Sequence, residues 1–165
     1  MGERDRIYVA VVGAGSCDPE MAAWAEEVGR SLGAAGAVLV CGGRGGVMEA
    51  ACRGAKATGG LTVGILPGVD RSEANPFLEV ALPSGLGEAR NVLVVRAADA
   101  VIAIAGEFGT LSEIAFALKL GKPVIGLSTW QLVRSGQPVE AILRASDPAD
   151  AVRQALALAS GSRAE

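Results

Sequence analysis

The chain has 165 residues, the size of one ordinary domain spanning 1–165, and at that length it buries enough surface to fold without disulfides or a structural metal. It contains no histidine, which excludes Ser-His and Cys-His nucleophilic pairs and every His-ligated metal centre. The 15 basic and 18 acidic residues give a net charge of -3 with no basic run, so no nucleic acid is expected as a partner, and no apolar stretch reaches the ~18 residues of a membrane span.

Short runs rich in Val and Ile alternate with Ala-rich segments of helical period, the pattern of a doubly wound, Rossmann-like α/β domain with a mainly parallel sheet. The opening residues mix acids with bases ahead of a short apolar run, which reads as a first strand, Ile7 to Val12, and not as a signal peptide. A helix from Pro19 to Ala34 follows, with Asp18 as cap, Pro19 at the first position, and Met21, Trp24, Ala25, Val28 and Leu32 at helical spacing. Strand two is Ala37 to Cys41, and a second helix runs from near Gly46 to the Gly59-Gly60 stop. Strands at Thr62 to Leu66 and Leu78 to Leu82 bracket an irregular loop, Pro67 to Pro76. A third helix spans about Leu86 to Ala98, strand five Ala100 to Ala105, a fourth helix starts after Thr110 and stops before Gly121-Lys122-Pro123, and strand six is Pro123 to Leu127. The last helix is Pro148 to Ala159 with Asp147 as cap, and a loose tail follows Ser160. Cys17, Cys41 and Cys52 form no CxxC pair and lie in apolar or Gly-rich company, as small buried thiols do in a reducing cytoplasm, the expected location.

The 23 glycines are roughly twice the usual share. They cluster after strands one, two and five, as Gly13-Ala14-Gly15-Ser16, Gly42-Gly43-Arg44-Gly45-Gly46 and Gly106-Glu107-Phe108-Gly109-Thr110. In a parallel sheet those three turns share the carboxyl edge, where helix amino ends favour an anion and missing Cβ atoms let a phosphate approach the backbone. Gly13, Gly15, Ser16, Gly42, Gly43, Gly45, Gly46, Gly106, Gly109 and Thr110 are therefore the candidate ligand-binding residues. The first cluster fails the dinucleotide fingerprint because Asp18 occupies its third glycine position, and no Walker-type lysine motif occurs. Lys56, Lys119 and Lys122 fall late in helices or just beyond them, which leaves no lysine at the ligand edge for pyridoxal chemistry.

Two charged residues flank these turns. Arg90 stands in the opening turn of the third helix, either offset by an anionic ligand, or solvated, or paired with Glu88 or Asp99. Thr110-Leu111-Ser112-Glu113 has the form of a capping box, with Thr110 as cap and Glu113 reaching back to it, a role compatible with contact to a ribose.

The stretches Cys41-Gly42-Gly43-Arg44-Gly45-Gly46-Val47-Met48, Glu88-Ala89-Arg90-Asn91 and Gly106-Glu107-Phe108-Gly109-Thr110-Leu111-Ser112-Glu113 resemble three motifs of the Lonely-guy phosphoribohydrolases, often mislabelled lysine decarboxylases. The likeness extends to the molybdenum-cofactor carrier proteins of the same Rossmann-like fold. The resemblance implies a homodimer and agrees with the small phosphorylated ligand expected from the glycine clusters; no membrane partner is expected, since no apolar stretch is long enough. In the hydrolase branch it implies cleavage of the N-glycosidic bond of nucleoside 5′-monophosphates to free base and ribose 5-phosphate. There Gly109 and Thr110 hold the phosphate, Arg90 and Glu113 are catalytic, and neither a metal nor a cofactor is required. Ala105 stands where the motif has proline, and Glu107 where it has its second glycine, which sets a carboxylate in the phosphate loop unless it points away or pairs with Arg44. The alternative expectation is a non-catalytic carrier of the molybdenum cofactor, or a nucleotide-binding regulator.

Overall fold

In the computed structural model, which describes residues 6–161, the aliphatic runs pair as one wholly parallel sheet. Its strands are β1 (Tyr8–Gly13), β2 (Val38–Cys41), β3 (Thr62–Leu66), β4 (Val80–Pro83), β5 (Ala100–Ile104) and β6 (Val124–Leu127), with β9 (Ile142–Arg144) closing one edge. The order is β4-β3-β2-β1-β5-β6-β9. A separate antiparallel hairpin, β7 (Leu132–Arg134) and β8 (Gln137–Val139), precedes β9. The sequence pattern predicts no element in this stretch, because strands of three residues carry too little periodicity to register.

Alternation along the strands divides the core in two. Val9, Val11, Leu39, Ile102 and Ile104 face one layer with α1 (Pro19–Ala34), α2 (Val47–Ala57) and α5 (Pro148–Gly161). Ala10, Val12, Val40, Val101 and Ala103 face the other, with α3 (Asn91–Arg96) and α4 (Phe108–Lys119). β1 leads to α1 on one face and β5 to α4 on the other, so the connections leaving these two paired strands diverge at the carboxyl edge, which is where an open α/β sheet forms its ligand crevice. Two caps form as the sequence predicts: Asp18 accepts from Met21 N at 2.8 Å and Asp147 from Asp150 N at 2.8 Å.

Three expectations are corrected. The third helix is not continuous from Leu86: a 3-10 turn over Gly87–Arg90 precedes α3, with Gly85 and Gly87 both at positive φ. Strand four begins at Val80, two residues later than predicted, since Asn75 Oδ1 takes the Phe77 N–H and holds the chain in a turn before the sheet edge. The capping box does not form: α4 starts at Phe108 with Glu107 as N-cap, and Leu111 N donates to Glu107 O. Ala105 and Gly106, both at positive φ, reverse the chain so sharply that the helix begins before Thr110 is reached. No helix among the described residues is long and apolar enough to cross a membrane. The tail after Ser160 lies outside the described residues from 162 onward.

α1 and α2 cross with almost no space between them, and a Cβ at Gly54 would strike the Glu26 carbonyl and the Arg30 nitrogen. Gly54→Ala is expected to lower stability by about 1–3 kcal/mol, because backbone overlap outweighs the ~1 kcal/mol that alanine gains in a helix. A thermal melt checks this, and a raised melting temperature would contradict the close crossing.

Candidate functional site

A cleft of about 830 Å³ opens over the carboxyl ends of β1 and β5. Its walls come from the turn after β1 (Gly13, Gly15), the loop after β2 (Arg44, Gly45, Met48), the 3-10 turn (Glu88, Arg90, Asn91) and the first half of α4. Of the sequence-derived candidates, the structure thus brings Gly13, Gly15, Gly45, Gly109, Thr110, Arg90 and Glu113 to one cavity. Gly15 and Gly109 face open space, so a ligand can reach their backbone without meeting side chains.

The remaining candidates stand behind the walls. Gly46, at positive φ, packs on the Ala14 carbonyl and seats the second glycine loop on the first. Gly43 packs on Leu66, and Gly106 packs on Thr110. Ser16 is exposed and outside the lining. Gly42 makes room for Arg90, since a Cβ there would lie 2.6 Å from Arg90 Nη2 and its hydrogen is what admits the guanidinium.

Arg90 is only 9% exposed. Its Nε donates to Ile65 O at 2.9 Å, Nη2 to Gly42 O at 3.3 Å, and Nη1 to Asn91 Oδ1. The alternatives of a solvated arginine, or of one paired with Glu88 or Asp99, are therefore corrected. No ion pair joins Arg90 to Glu88 among the described residues, and Asp99 accepts the Tyr8 N–H at 2.8 Å, at the opposite end of β1. Asn91 passes the connection on, donating from Nδ2 to Ser112 Oγ at 3.1 Å, and Ser112 Oγ donates to Gly109 O at 2.6 Å. The guanidinium is thereby tied through two side chains to the first turn of α4. Sequence reasoning does not single out Asn91 and Ser112 as functional groups; their signal is membership of the motif stretches, one residue after Arg90 and three after Gly109.

Glu113 is 7% exposed and lines the cleft, its carboxyl without hydrogen bond or ion pair among the described residues. Burial pushes that carboxyl up to about 8, against the pull of the Arg90 charge. Burial also lowers Arg90 from the ordinary arginine range, opposed by Glu113, yet a guanidinium stays charged at neutral pH. The pair is thus a fixed cation beside a carboxyl that burial biases toward its neutral form. The first turn of α4 carries no side-chain cap, and its residues Phe108, Gly109 and Thr110 line the cleft with backbone N–H groups that have no partners within their own helix.

The loop 67–76 is anchored at its end: buried Asn75 donates from N to Gly43 O at 2.9 Å and from Nδ2 to Arg44 O at 3.0 Å. The late-helix lysines lie away from the cleft, with Lys122 Nζ donating to Arg96 O at 3.0 Å and also to Ala98 O. Arg44 and Glu107 form no ion pair among the described residues, although both line the cavity.

A family model described as the SLOG cluster4 family matches residues 6–152. An uncharacterized protein of Archaeoglobus fulgidus is 47% identical over 121 residues, 73% of this chain and 80% of that one. Among solved structures, the molybdenum cofactor binding protein of Rippkaea orientalis is 35% identical with a TM-score of 0.84, covering 93% of this chain and 97% of its own. The Moco carrier protein of Chlamydomonas reinhardtii is 30% identical with a TM-score of 0.82, covering 94% and 99%.

Proposed function

The chain belongs to the SLOG cluster4 family, and on that premise we propose that it is a carrier of a phosphorylated pterin, the molybdenum cofactor, held in the cleft over the carboxyl ends of β1 and β5. The observation that carries this reading is the uncapped start of α4 in one cleft with the Arg90 cation and a Glu113 whose carboxyl is pushed by burial toward its neutral form. The Arg90 cation and the start of α4 favour a phosphate in front of Gly109, and the exposed Glu107 carboxylate, which lines the same cleft, opposes one unless the ligand supplies donors to it. The volume of about 830 Å³ suits a fused-ring ligand with its phosphate. Gly15, Gly109 and Thr110 would receive the phosphate on the backbone, Arg90 would take its oxygens through a two-pronged donor, and Asn91 with Ser112 would hold that donor still. The similar proteins of Rippkaea orientalis and Chlamydomonas reinhardtii bind or carry this cofactor, which supports the same cargo here.

Phosphoribohydrolase activity is the second reading, favoured by Arg90 and Glu113 lining one cleft. A glycosidic bond breaks with positive charge growing on the ribose, and a fixed carboxylate would stabilise it. Glu113 at pH 7 is protonated, which suits proton donation to a departing base and not the anionic role. The test places purified protein with the isolated cofactor and, separately, with AMP and GMP. The carrier reading expects a melting temperature that rises with ligand concentration and no ribose 5-phosphate. Release of ribose 5-phosphate that disappears in Glu113→Gln would instead establish the hydrolase.

A further inference from the structure

Phe108 is the first residue of α4 and a wall of the cleft, and it is 75% exposed. An aromatic ring left this open at the mouth of a cavity is unusual in a chain with only 4% aromatic residues. It is also braced. Trp130 stands with its ring centre 5.6 Å from that of Phe108 at 38°, and its Nε1 donates to Glu107 O at 3.3 Å. Thr129 Oγ1 donates to Ala105 O at 2.5 Å, so two consecutive residues from the far side of β6 clamp the turn that presents Phe108. Between the clamp and the ring lies Glu107, exposed, lining the cleft, its carboxylate without a partner among the described residues. A carboxylate beside a phosphate site raises the free energy of an anionic ligand unless the ligand returns N–H donors to it.

Resting on the phosphate-binding reading above, we infer that Phe108 is the stacking face for the ligand's planar ring, and that Glu107 accepts adjacent N–H donors from that ring's edge, as a 2-amino-4-oxopyrimidine presents them. Guanine and pterins share this edge. The two carboxylate oxygens take the ring N–H and the exocyclic amino group together, whereas a ring lacking the amino group leaves one oxygen unmatched. Stacking on Phe108 makes no distinction among flat rings, so the discrimination lies with Glu107.

Calorimetric titration with ribose 5-phosphate, IMP, GMP and 6-hydroxymethylpterin phosphate tests this. GMP is expected to bind about tenfold more tightly than IMP, from which it differs only by the amino group, and Glu107→Gln is expected to bring that ratio close to one. Phe108→Ala is expected to weaken every ring-bearing ligand by about tenfold while leaving ribose 5-phosphate unchanged. The tighter of GMP and the pterin phosphate identifies which source of the edge the cleft is shaped for. Equal binding of GMP and IMP, or a ratio that survives Glu107→Gln, overturns the assignment of Glu107 alone. Absence of any ribose 5-phosphate binding overturns the phosphate site itself, and the two failures are thereby separate.

Discussion

Replacing Glu113 with glutamine is expected to stabilise the protein at alkaline pH, by up to several kcal/mol at about 1.4 kcal/mol per pKa unit. The folded carboxyl titrates at about 8 against an ordinary value of 4.5, because burial penalises its charge more than Arg90 favours it. Below pH 4.5 both folded and unfolded chains hold the proton, and the carboxyl costs nothing beyond what glutamine would. Between 4.5 and 8 the folded chain keeps a proton that the unfolded chain has released, so this group's contribution to stability falls as pH rises. Above 8 the whole penalty is present. Urea midpoints for the native chain and Glu113→Gln at about pH 5 and about pH 9 isolate the effect from every other titrating group, since only the difference between the two proteins is read. A difference that does not grow toward the alkaline end would show that Glu113 is ionised in the fold. The same titration bears on ligand: ionising Glu113 sets a negative charge beside the phosphate position, so affinity for ribose 5-phosphate is expected to decline above about pH 8.

Removing the guanidinium of Arg90 has the largest expected effect on binding. Truncating a buried charged donor that faces an anion costs about 2–5 kcal/mol, or roughly 30- to several thousand-fold in affinity. Arg90→Ala also leaves the Ile65 and Gly42 carbonyls without their donors, at about 1–3 kcal/mol each, and threatens the fold itself. Arg90→Lys separates the two effects. The lysine keeps the charge but offers a single ammonium in place of the fork, so it can serve a carbonyl or the phosphate, not both. The expected result is a folded protein by circular dichroism whose affinity for ribose 5-phosphate has dropped by at least about tenfold. Native affinity in Arg90→Lys would mean that the backbone N–H groups of α4 hold the anion unaided.

Much of this arrangement is legible in one dimension. The β-branched runs at Val9 to Val12, Val38 to Val40 and Ala100 to Ile104 read as buried parallel strands because both faces are apolar, and the glycine clusters directly after them mark the carboxyl edge. Asp18 and Asp147 announce their helices because a cap is a local device, complete within four residues. The capping role expected of Thr110 fails for the converse reason. Its spacing to Glu113 satisfies a local rule, but the sharp turn at Ala105 and Gly106 starts the helix earlier and frees Glu113 for the cleft.

The layered α/β architecture and the edge on which a ligand would lie need nothing beyond the order of residues, since both follow from the period of the apolar positions and the placement of glycines along the chain. The electrostatics of the cleft arise only on folding. Arg90 meets Ile65 and Gly42, which lie 25 and 48 residues away, and Trp130 meets Phe108 across β6. Glu113 becomes a neutral acid once strands and helices have removed the water around it. Desolvation and long-range contact depend on where distant segments come to rest, and no local pattern of residue types encodes them.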